Sequence, residues 1–407
     1  MQPLSNTESI PKPSRINAVF KSPKDLRPAR DYSLFPVPYS LFPVPYSLSF
    51  PYPQDMRSKR TDSLRSVAQP GELALLRNIR TRAGQSSGAA LRLGIGDDCA
   101  LLRPRPGEEL AVTTDLSIAG RHFRLDWHPP GSVGHRVLAR GLSDLAAMGA
   151  RPIAAFLSLG VPRELTIPSG RRAAWVQSFL DGLLTLATAH KVPLAGGDLS
   201  ESPIPIADIV LIGAVPHGRA LLRSTARPGH LLYVTGALGG AAAALAQLAE
   251  LAGPSRLAEN QPAHSRPLRI PKKLEAQLAP HLYPQPRIVQ GLWLVRHNLA
   301  SAAIDLSDGL STDLAHLCQE SHVAAEVDAA LLPIHTAATL AHALNGGEDY
   351  ELLFTAPPAA RIPKKIAGVP ITRIGRILPA RRNRPTVTLL TDQGPQPLDP
   401  KGWQHFS

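Results

Sequence analysis

The chain has 407 residues, 43% hydrophobic and 19% charged, which is an ordinary globular composition and leaves room for two domains. Two cysteines, Cys99 and Cys318, are too few for a disulfide framework, so we expect a reducing compartment and a cytoplasmic location. The first twenty residues lack an apolar signal-peptide core and no stretch resembles a membrane span, so we expect no membrane partner.

The net charge of +12 is concentrated near the two ends of the chain. Residues 1–83 carry 13 basic and 6 acidic residues, and residues 361–384 carry 8 basic and no acidic residues. No aromatic residue is interleaved in 361–384 to stack on bases, so we expect solvated surface and no nucleic-acid partner. A non-catalytic binder of anionic polymers that uses these basic ends is the alternative.

The N-terminal region contains a seven-residue repeat, YSLFPVPYSLFPVPYSLSFPYP. Its frequent prolines forbid helix and disfavour paired strands, so residues 1–60 are predicted to be a disordered, proline-rich tail. Met56 is an in-frame candidate start, and the favoured interpretation is either a tail without a function of its own or a start assigned too far upstream. A proline-motif ligand is the alternative.

Strands and helices are predicted to alternate along the rest of the chain. The series begins with a helix over 71–83, buried strands flanking LGIGDDCALL, and a strand over 109–120. A helix then places five apolar residues on one face and stops at Gly149. Strands at 153–162 and 207–216 enclose a helix over 171–190. The five apolar residues are Val133, Val137, Leu138, Leu142 and Leu145.

A turn-rich, basic stretch after residue 216 predicts a domain boundary. A second series of strands and helices starts with LLYVTG and continues to the C-terminus. The pattern indicates an α/β (or α+β) protein with two domains of similar size, 61–217 and 218–407.

Acidic residues recur beside glycines or small hydroxyl residues and are flanked by apolar sequence, which is unusual for solvated surface acids. Carboxylates that converge on one cleft repel each other unless cations neutralise them. Oxygen ligands without a Cys/His cluster suit Mg²⁺, which completes its coordination with phosphate oxygens and water. The acids are Asp97, Asp98, Asp115, Asp144, Asp198, Asp305, Asp308, Glu348 and Asp349, joined by the hydroxyls of Thr113, Thr114 and Ser307.

Each of these elements has a plain structural alternative. GDD is commonly a turn, Asp144 can pair within its own helix, and DLSDG resembles a helix N-cap. GALGGAAAA is equally a packing turn or a phosphate-holding helix start. Neither a P-loop nor a dinucleotide fingerprint is present. The residues alone therefore indicate Mg²⁺-dependent phosphate chemistry in a two-domain α/β enzyme.

Taken in order, a set of segments resembles the thiamine-monophosphate kinase family from about Gly71 to the C-terminus. The resemblance implies the two-domain fold of aminoimidazole ribonucleotide synthetase, with an N-terminal domain for ATP binding and dimerisation and a C-terminal α/β domain. It also implies a homodimer that converts thiamine monophosphate and ATP to thiamine diphosphate and ADP. The segments are GIGDDCALL, TTDLSIAGRHF, LSDLAAMGARP, LAGGDLSES, LLRSTARPGHLLYVTGALGGAAAAL, HLYPQPRIVQG, AIDLSDGLSTDL, NGGEDYELLFT and GWQHF.

The resemblance also implies roles for individual residues. The magnesium ligands, for several Mg²⁺ ions, would be Asp98, Thr113, Thr114, Asp115, Asp144, Asp198, Asp305 and Asp308. The ATP contacts would be Gly197, Asp198, Arg223 and Ser307, and the thiamine monophosphate contacts His122, Asp349 and Trp403. Trp403 would stack on the cationic thiazolium, with a terminal core anchor as the alternative; Arg223 would fork onto phosphate, with a surface charge as the alternative.

Four positions depart from the family pattern. Thr225 and His230 replace a glycine and an aspartate, and Leu199 follows Asp198 where the family has threonine. Gln404 stands where the family has the aspartate of a terminal DHF. These departures affect the expected nucleotide geometry more than the expected reaction.

The expected mechanism is direct in-line attack by the anionic substrate phosphate, with no covalent nucleophile. Cys99 is not expected to act as one, because the neighbouring acids oppose thiolate formation. Another ATP-dependent enzyme of the same fold, of the selenophosphate synthetase or hydrogenase maturation type, is the alternative. The chain lacks the N-terminal or C-terminal cysteine that those reactions would need.

Overall fold

Two main β-sheets organise the part of the chain that is described in the computed structural model, residues 72–83, 90–168, 173–253, 268–382 and 385–403. All of these residues belong to the unit Ser66–Ser407. The predicted tail, residues 1–60, lies outside the described residues.

The first sheet has the strand order β3-β6-β4-β5, in which only the β4–β5 pair is parallel. One face of it packs against helix α2, whose apolar residues contact Leu211 and its neighbours. The predicted helix with its five buried apolar residues is confirmed. The elements are β3 (Glu108–Ile118), α2 (Pro130–Ala147), β4 (Arg151–Val161), α3 (Trp175–Ala189), β5 (Leu194–Glu201) and β6 (Ile206–Pro216).

A helix and a short hairpin precede this sheet: α1 (Glu72–Ala83), β1 (Leu91–Leu93) and β2 (Leu101–Leu102). The prediction of buried strands around the paired aspartates is wrong. Leu93 and Leu101 are 37% and 57% exposed, and Asp97 and Asp98 lie in an exposed turn. With water on one side of such short strands, the two carboxylates can remain solvated.

The second sheet has the order β14-β13-β9-β12-β7-β10-β8, with β11 paired to β12. Its strands are β7 (Leu231–Thr235), β8 (Ala302–Asp305), β9 (Val323–Asp328), β10 (Leu352–Ala356), β11 (Lys365–Ile366), β12 (Val369–Pro379), β13 (Val387–Thr391) and β14 (Gly394–Pro397). Its helices are α4 (Gly240–Ala252), α5 (Lys272–Leu282), α6 (Ile288–His297), α7 (Leu310–Glu320) and α8 (Leu340–Asn345).

Helix α2 belongs to the packing of both sheets. Its buried residues share one apolar cluster with Leu294 of α6, Ala303 of β8 and Phe354 of β10. The helix therefore presents one side to the first sheet and another to the end of β8. Polar side chains of α2 can therefore contact residues of β3 in the first sheet and of β8 in the second. Among the described residues, no helix is long and apolar enough to cross a membrane.

Candidate functional site

Three of the predicted aspartates meet around α2: Asp115 on β3, Asp144 on α2, and Asp305 at the end of β8. Thr113, two residues before Asp115 on the same face of β3, donates its hydroxyl hydrogen bond to Asp144. The Ser143 hydroxyl donates to Asp305 Oδ2 at 2.7 Å, and so ties the end of β8 to α2. The fold thus gathers carboxylates from residues as far apart as 115 and 305.

The three carboxylates resist ionisation together. Burial, with the neighbouring charges of Asp144 and Asp208, raises the pKa of Asp115 to about 6. Burial and the charge of Asp144 raise the pKa of Asp305 to about 7, and burial also raises the pKa of Asp144. Buried like charges are costly unless cations compensate them, so the cluster has the electrostatics of a cation- and phosphate-binding site.

Two arginines already supply positive charge to this acidic cluster. Arg140 Nη2 lies 3.3 Å from Asp115 Oδ1, and Arg140 Nη1 donates to Ser117 Oγ at 3.3 Å. Arg223, from a 3₁₀ turn before β7, lowers the pKa of both Asp144 and Asp305 against the effect of burial. Arg223 also shares with Thr113 and Asp144 the lining of a cavity of about 720 Å³. A guanidinium beside carboxylates in an open cavity is placed to receive phosphate oxygens.

Within the described residues, no three Asp, Glu, His or Cys side chains lie close enough to hold a metal ion by themselves. Mg²⁺ characteristically takes one or two carboxylates and completes its shell with phosphate oxygens and water. The carboxylate and hydroxyl oxygens of Asp115, Asp144 and Thr113 fit that donor chemistry.

Asp98, Gly197 and Asp198 line a second cavity, of about 620 Å³, together with Arg77 and Arg80 of α1. Gly197 has a φ of +143°, and a Cβ there would lie 1.9 Å from the Leu157 carbonyl oxygen. Only glycine fits this position.

The first sheet separates two groups of predicted ligands. Asp198 is in register with Ser158 and Asp208, and through them with Leu116 on β3. Because side chains alternate along a strand, Asp198 and the exposed Thr114 lie on the opposite face from Thr113 and Asp115. Within one chain, the structure does not bring Thr114, Asp98 and Asp198 to the acidic cluster around α2.

Ser307 and Asp308 lie in the turn between β8 and α7. The Ser307 carbonyl oxygen accepts from the amide of Glu348 at 2.8 Å, and the Asp308 carbonyl oxygen accepts from the amide of Trp403 at 3.2 Å. The C-terminal segment therefore folds back onto this turn, with the Trp403 ring 53% exposed beside it. The acidic turn directly follows Asp305 of the cluster.

Comparison with known proteins agrees with this architecture. Residues 96–215 match the family of AIR synthase related proteins, N-terminal domain, and residues 227–388 match the C-terminal domain. The thiamine-monophosphate kinase of Escherichia coli (strain K12) is 41% identical over 351 residues, which cover 83% of this chain and 98% of that protein. That of Bacillus subtilis (strain 168) is 32% identical over 346 residues, covering 82% and 99%. The chain belongs to the thiamine-monophosphate kinase family.

Solved structures of the thiamine-monophosphate kinase family share the fold. The enzyme from Stenotrophomonas maltophilia K279a is 36% identical and superposes with a TM-score of 0.62, covering 78% of this chain and 96% of its own. AaThiL complexed with AMPPCP and TMP is 29% identical with a TM-score of 0.60, covering 85% and 100%. Hydrogenase maturation protein HypE in complex with ATP, 17% identical with a TM-score of 0.58 and covering 82% and 96%, shares the fold alone.

The residues predicted to contact thiamine monophosphate are dispersed. His122 Nδ1 accepts from the amide of Ile118 at 3.0 Å, beyond the end of β3. The Asp349 carboxylate accepts from the amides of Gly239 at 2.6 Å and Ala241 at 3.1 Å, and so caps the N-terminus of α4. Burial raises the pKa of Asp349 to about 7 although these amides lower it. The structure therefore gives Asp349 a capping role, while Trp403 lies at the acidic turn.

Sequence reasoning missed Arg140 and Asp313. Arg140 is one helical turn before Asp144, so the i, i+4 spacing on α2 was the available signal. Asp313, at the start of α7, accepts from the amides of Asp308 and Gly309 at 3.1 and 3.0 Å. Burial and the charges of Asp305 and Asp308 raise the pKa of Asp313 to about 8. Through these two hydrogen bonds, the Asp313 carboxyl group holds the backbone of the acidic turn.

The two departures near Arg223 converge on one residue of this family member. Thr225 Oγ1 donates to the Ser301 carbonyl oxygen at 2.6 Å, and His230 Nδ1 lies 2.6 Å from Ser301 Oγ. Ser301 immediately precedes β8, whose end carries Asp305. Residues that differ from the family pattern thus tie the Arg223 turn to the strand of the acidic cluster. Leu199 is half-buried and lines the second cavity.

Proposed function

We propose that the chain transfers the γ-phosphate of ATP to thiamine monophosphate in a Mg²⁺-dependent reaction, giving thiamine diphosphate and ADP. Membership of the thiamine-monophosphate kinase family supports the reaction. The observation that carries the proposal is the acidic cluster of Asp115, Asp144 and Asp305 with Arg223 beside it. We place the protein in the cytoplasm and keep the division into domains 61–217 and 218–407.

The donor set fits Mg²⁺, with Asp115, Asp144, Asp305 and Thr113 as the residues that would hold it on this side of the sheet. When bound, Mg²⁺ would neutralise charge on the phosphates of ATP. The carboxylates are deprotonated for this role above the raised pKa values of Asp115 and Asp305.

The remaining work of the protein is positioning. The phosphate of thiamine monophosphate is anionic at neutral pH, so in-line attack on the γ-phosphorus needs no strong base. Arg223 is placed to hold phosphate oxygens of ATP. Neither cysteine is a suitable nucleophile, because Cys99 stands exposed beside two aspartates and burial raises the pKa of the Cys318 thiol to about 12.

The exposed ring of Trp403 offers a stacking surface for the cationic thiazolium near the acidic turn. We assign Asp98 and Asp198 to Mg²⁺, and Gly197 and Asp198 to ATP, through the second cavity, with Arg77 and Arg80 as additional cations. His122 remains a proposed contact of the substrate phosphate.

The homodimer is also part of the proposal. Leu110, Val112 and Leu116 alternate along β3 and are 48%, 61% and 48% exposed on the face away from α2. An edge strand with a row of exposed apolar side chains is a ready pairing surface. A second copy of the chain is the occupant we propose, because Thr114 and Asp198 lie on this same face.

Incubation of the purified protein with ATP, Mg²⁺ and thiamine monophosphate tests the reaction, with thiamine diphosphate detected by fluorescence after oxidation. We expect product only when all three are present, and equal activity from a version that begins at Met56. Hydrolysis of ATP without thiamine diphosphate would favour another reaction of the same fold. Inactivity with ATP, together with tight binding of a polyanion, would favour the non-catalytic binder.

A further inference from the structure

A buried polar network lies beside the acidic cluster and contains residues that the proposed reaction does not use. Arg136 on α2 pairs with Glu348, which lies between β10 and α8, and His281 Nδ1 of α5 lies 3.3 Å from Glu348 Oε2. His128 Nε2 lies 3.0 Å from His281 Nε2. Arg136, His128 and His281 are buried, at 5%, 3% and 3% exposure. Two helices, α2 and α5, therefore supply side chains to one carboxylate, and His128 is linked to it through His281.

The hydrogen bonds of this network have a single consistent direction. Arg136 Nη1 lies 3.3 Å from His281 Nε2, and a guanidinium can only donate, so His281 Nε2 is an acceptor. His128 must then donate from Nε2, and its Nδ1 accepts from the amide of Arg124 at 3.0 Å. His281 then carries its proton on Nδ1, which lies 3.3 Å from Glu348 Oε2 without hydrogen-bond geometry, so the contact with the carboxylate is electrostatic. Burial, followed by the charge of Arg136, lowers the pKa of both histidines, in accord with neutral rings.

Glu348 is the ionised end of this chain of donors. Burial alone would raise the pKa of Glu348, but Arg136 and His281 hold it well below its usual range. The residue also has a φ of +67°, and Tyr350 has a φ of +50°. Two non-glycine residues in the left-handed region bracket Asp349, a conformation that persists only where the surroundings enforce it.

The strained loop in turn holds the acidic turn. The amides of Glu348 and Tyr350 donate to the carbonyl oxygens of Ser307 and Leu306 at 2.8 and 2.9 Å. Gly347 packs so closely that a Cβ would lie 2.5 Å from the Ser307 carbonyl oxygen. The loop therefore lies against residues 306–308 along its length.

We infer that Arg136 and His281 are positioning residues that act through Glu348: they hold the 346–350 loop in its strained conformation, and the loop fixes the 306–308 turn. This rests on the proposed function and on the family resemblance, which makes Ser307 an ATP contact and Asp308 a Mg²⁺ ligand. The network would then place both residues for Mg²⁺ and ATP. Removal of the network loosens the turn, weakens binding of Mg²⁺·ATP and slows turnover.

The test compares Arg136→Met, which leaves Glu348 as an unpaired buried charge, with the double variant Arg136→Met/Glu348→Gln, which removes both charges. A buried ion pair can be replaced as a whole at little cost to folding, whereas loss of one partner destabilises the protein. The matched control is Arg376→Met/Glu326→Gln, which removes a surface pair at 2.8 Å. Melting temperature, amide hydrogen exchange in a peptide containing Glu348 and Tyr350, calorimetric binding of Mg²⁺·ATP, and kcat and KM are measured for each.

In the double variant we expect a melting temperature close to wild type, about tenfold faster exchange of the two loop amides, and about tenfold weaker Mg²⁺·ATP binding. Wild-type exchange and binding in a folded double variant would overturn the inference. So would solvent-like exchange of these two amides in the wild-type protein, a readout that needs no variant to fold. If wild-type protein makes no thiamine diphosphate, the proposed function fails, while the exchange measurement still tests the positioning role.

Discussion

At the scale of single residues, the site depends on carboxyl groups whose environment opposes their charge. Asp115 and Asp305 have raised pKa values although arginines lie near both. Desolvation is the largest influence on both pKa values and outweighs the attraction of Arg140 for Asp115 and of Arg223 for Asp305. The negative charge of Asp144 raises both pKa values further. Such groups destabilise the empty protein and favour the binding of cations, which is the trade-off expected of a functional site.

Asp115→Asn tests this directly. The substitution keeps the shape of the side chain and removes the negative charge, so we expect kcat to fall by about 10²-fold or more while the melting temperature does not decrease. Steady-state kinetics and thermal unfolding check the two parts. Asp392→Asn, at an exposed acid in the turn after β13, is the matched control, and near-wild-type activity of Asp115→Asn would contradict the site assignment.

The raised carboxyl pKa values also predict how stability varies with pH. Asp305, Asp349 and Asp313 have folded pKa values of about 7, 7 and 8, above the values near 3.8 of an unfolded chain. The folded protein therefore binds more protons than the unfolded one, and the stability these groups contribute is lost as pH rises through 7 to 8. The buried histidines act in the opposite direction below about pH 7, because their folded pKa values are lowered and the unfolded chain binds more protons at them there.

Without Mg²⁺ and nucleotide, we accordingly expect the free energy of unfolding to decrease between about pH 7 and 8.5, where the unfolded histidines are largely neutral. Asp313→Asn should flatten this dependence. Chemical denaturation at a series of pH values measures it, and an increase in stability across this interval would contradict the assigned protonation states.

At the scale of elements, α2 connects the functional groups. Arg136, Arg140 and Asp144 follow one another at i+4 spacing, so they project from one side of the helix toward β3, β8 and the 346–350 loop. The apolar residues of the helix are buried against the same sheet and against α3. The helix therefore carries a row of two positive charges and one negative charge beside the acidic cluster.

The 3₁₀ turn that carries Arg223 is the second decisive element. Ser301 Oγ contacts His230 Nδ1 at 2.6 Å and Thr355 Oγ1 at 2.7 Å, while its carbonyl oxygen accepts from Thr225. Ser301→Ala removes the side-chain contacts, and we expect KM for ATP to rise about fivefold with kcat changed by less than about twofold. The cost in stability should be about 1–2 kcal/mol.

Steady-state kinetics with varied ATP at saturating thiamine monophosphate measures KM for ATP and kcat separately. Thr185→Ala, which removes an exposed hydroxyl on α3, is the control. If Ser301→Ala leaves KM for ATP unchanged, the contact between His230 and the Ser301 hydroxyl does not position Arg223.

At the scale of the whole molecule, the first sheet has a different partner on each of its faces. One face is buried under α2 and α3, and the other leaves Leu110, Val112 and Leu116 exposed along β3. Thr113 and Asp115 lie on the face under α2, and Thr114 and Asp198 lie on the exposed face. The first sheet therefore contributes to both the proposed binding site and the proposed dimer interface.

Val112→Glu places a charge in the middle of the exposed apolar row, so we expect it to convert a dimer to a monomer without unfolding the chain. Light scattering after size-exclusion chromatography measures the mass. Val289→Glu, at a 52% exposed position on α6, is the control. A Val112→Glu protein that remains dimeric would place the dimer interface elsewhere.

Much of the fold and part of the site follow from local sequence. The period of apolar residues identified α2 and the principal strands because burial of one face imposes that period. Asp115, Asp144 and Asp305 were recognisable because acids flanked by apolar sequence must be compensated in the folded state. The resemblance to the kinase family added the expected reaction, and the comparisons confirmed the family.

Tertiary structure alone decided which of these residues meet. No local pattern places Asp98 and Asp198 across the sheet from Asp115, since that separation depends on strand order and register. The capping role of Asp349 and the buried pairing of Arg136 with Glu348 likewise depend on contacts between distant segments. Sequence determines the local period and the chemical inventory through steric and hydrophobic rules, whereas proximity is set by packing of the complete chain.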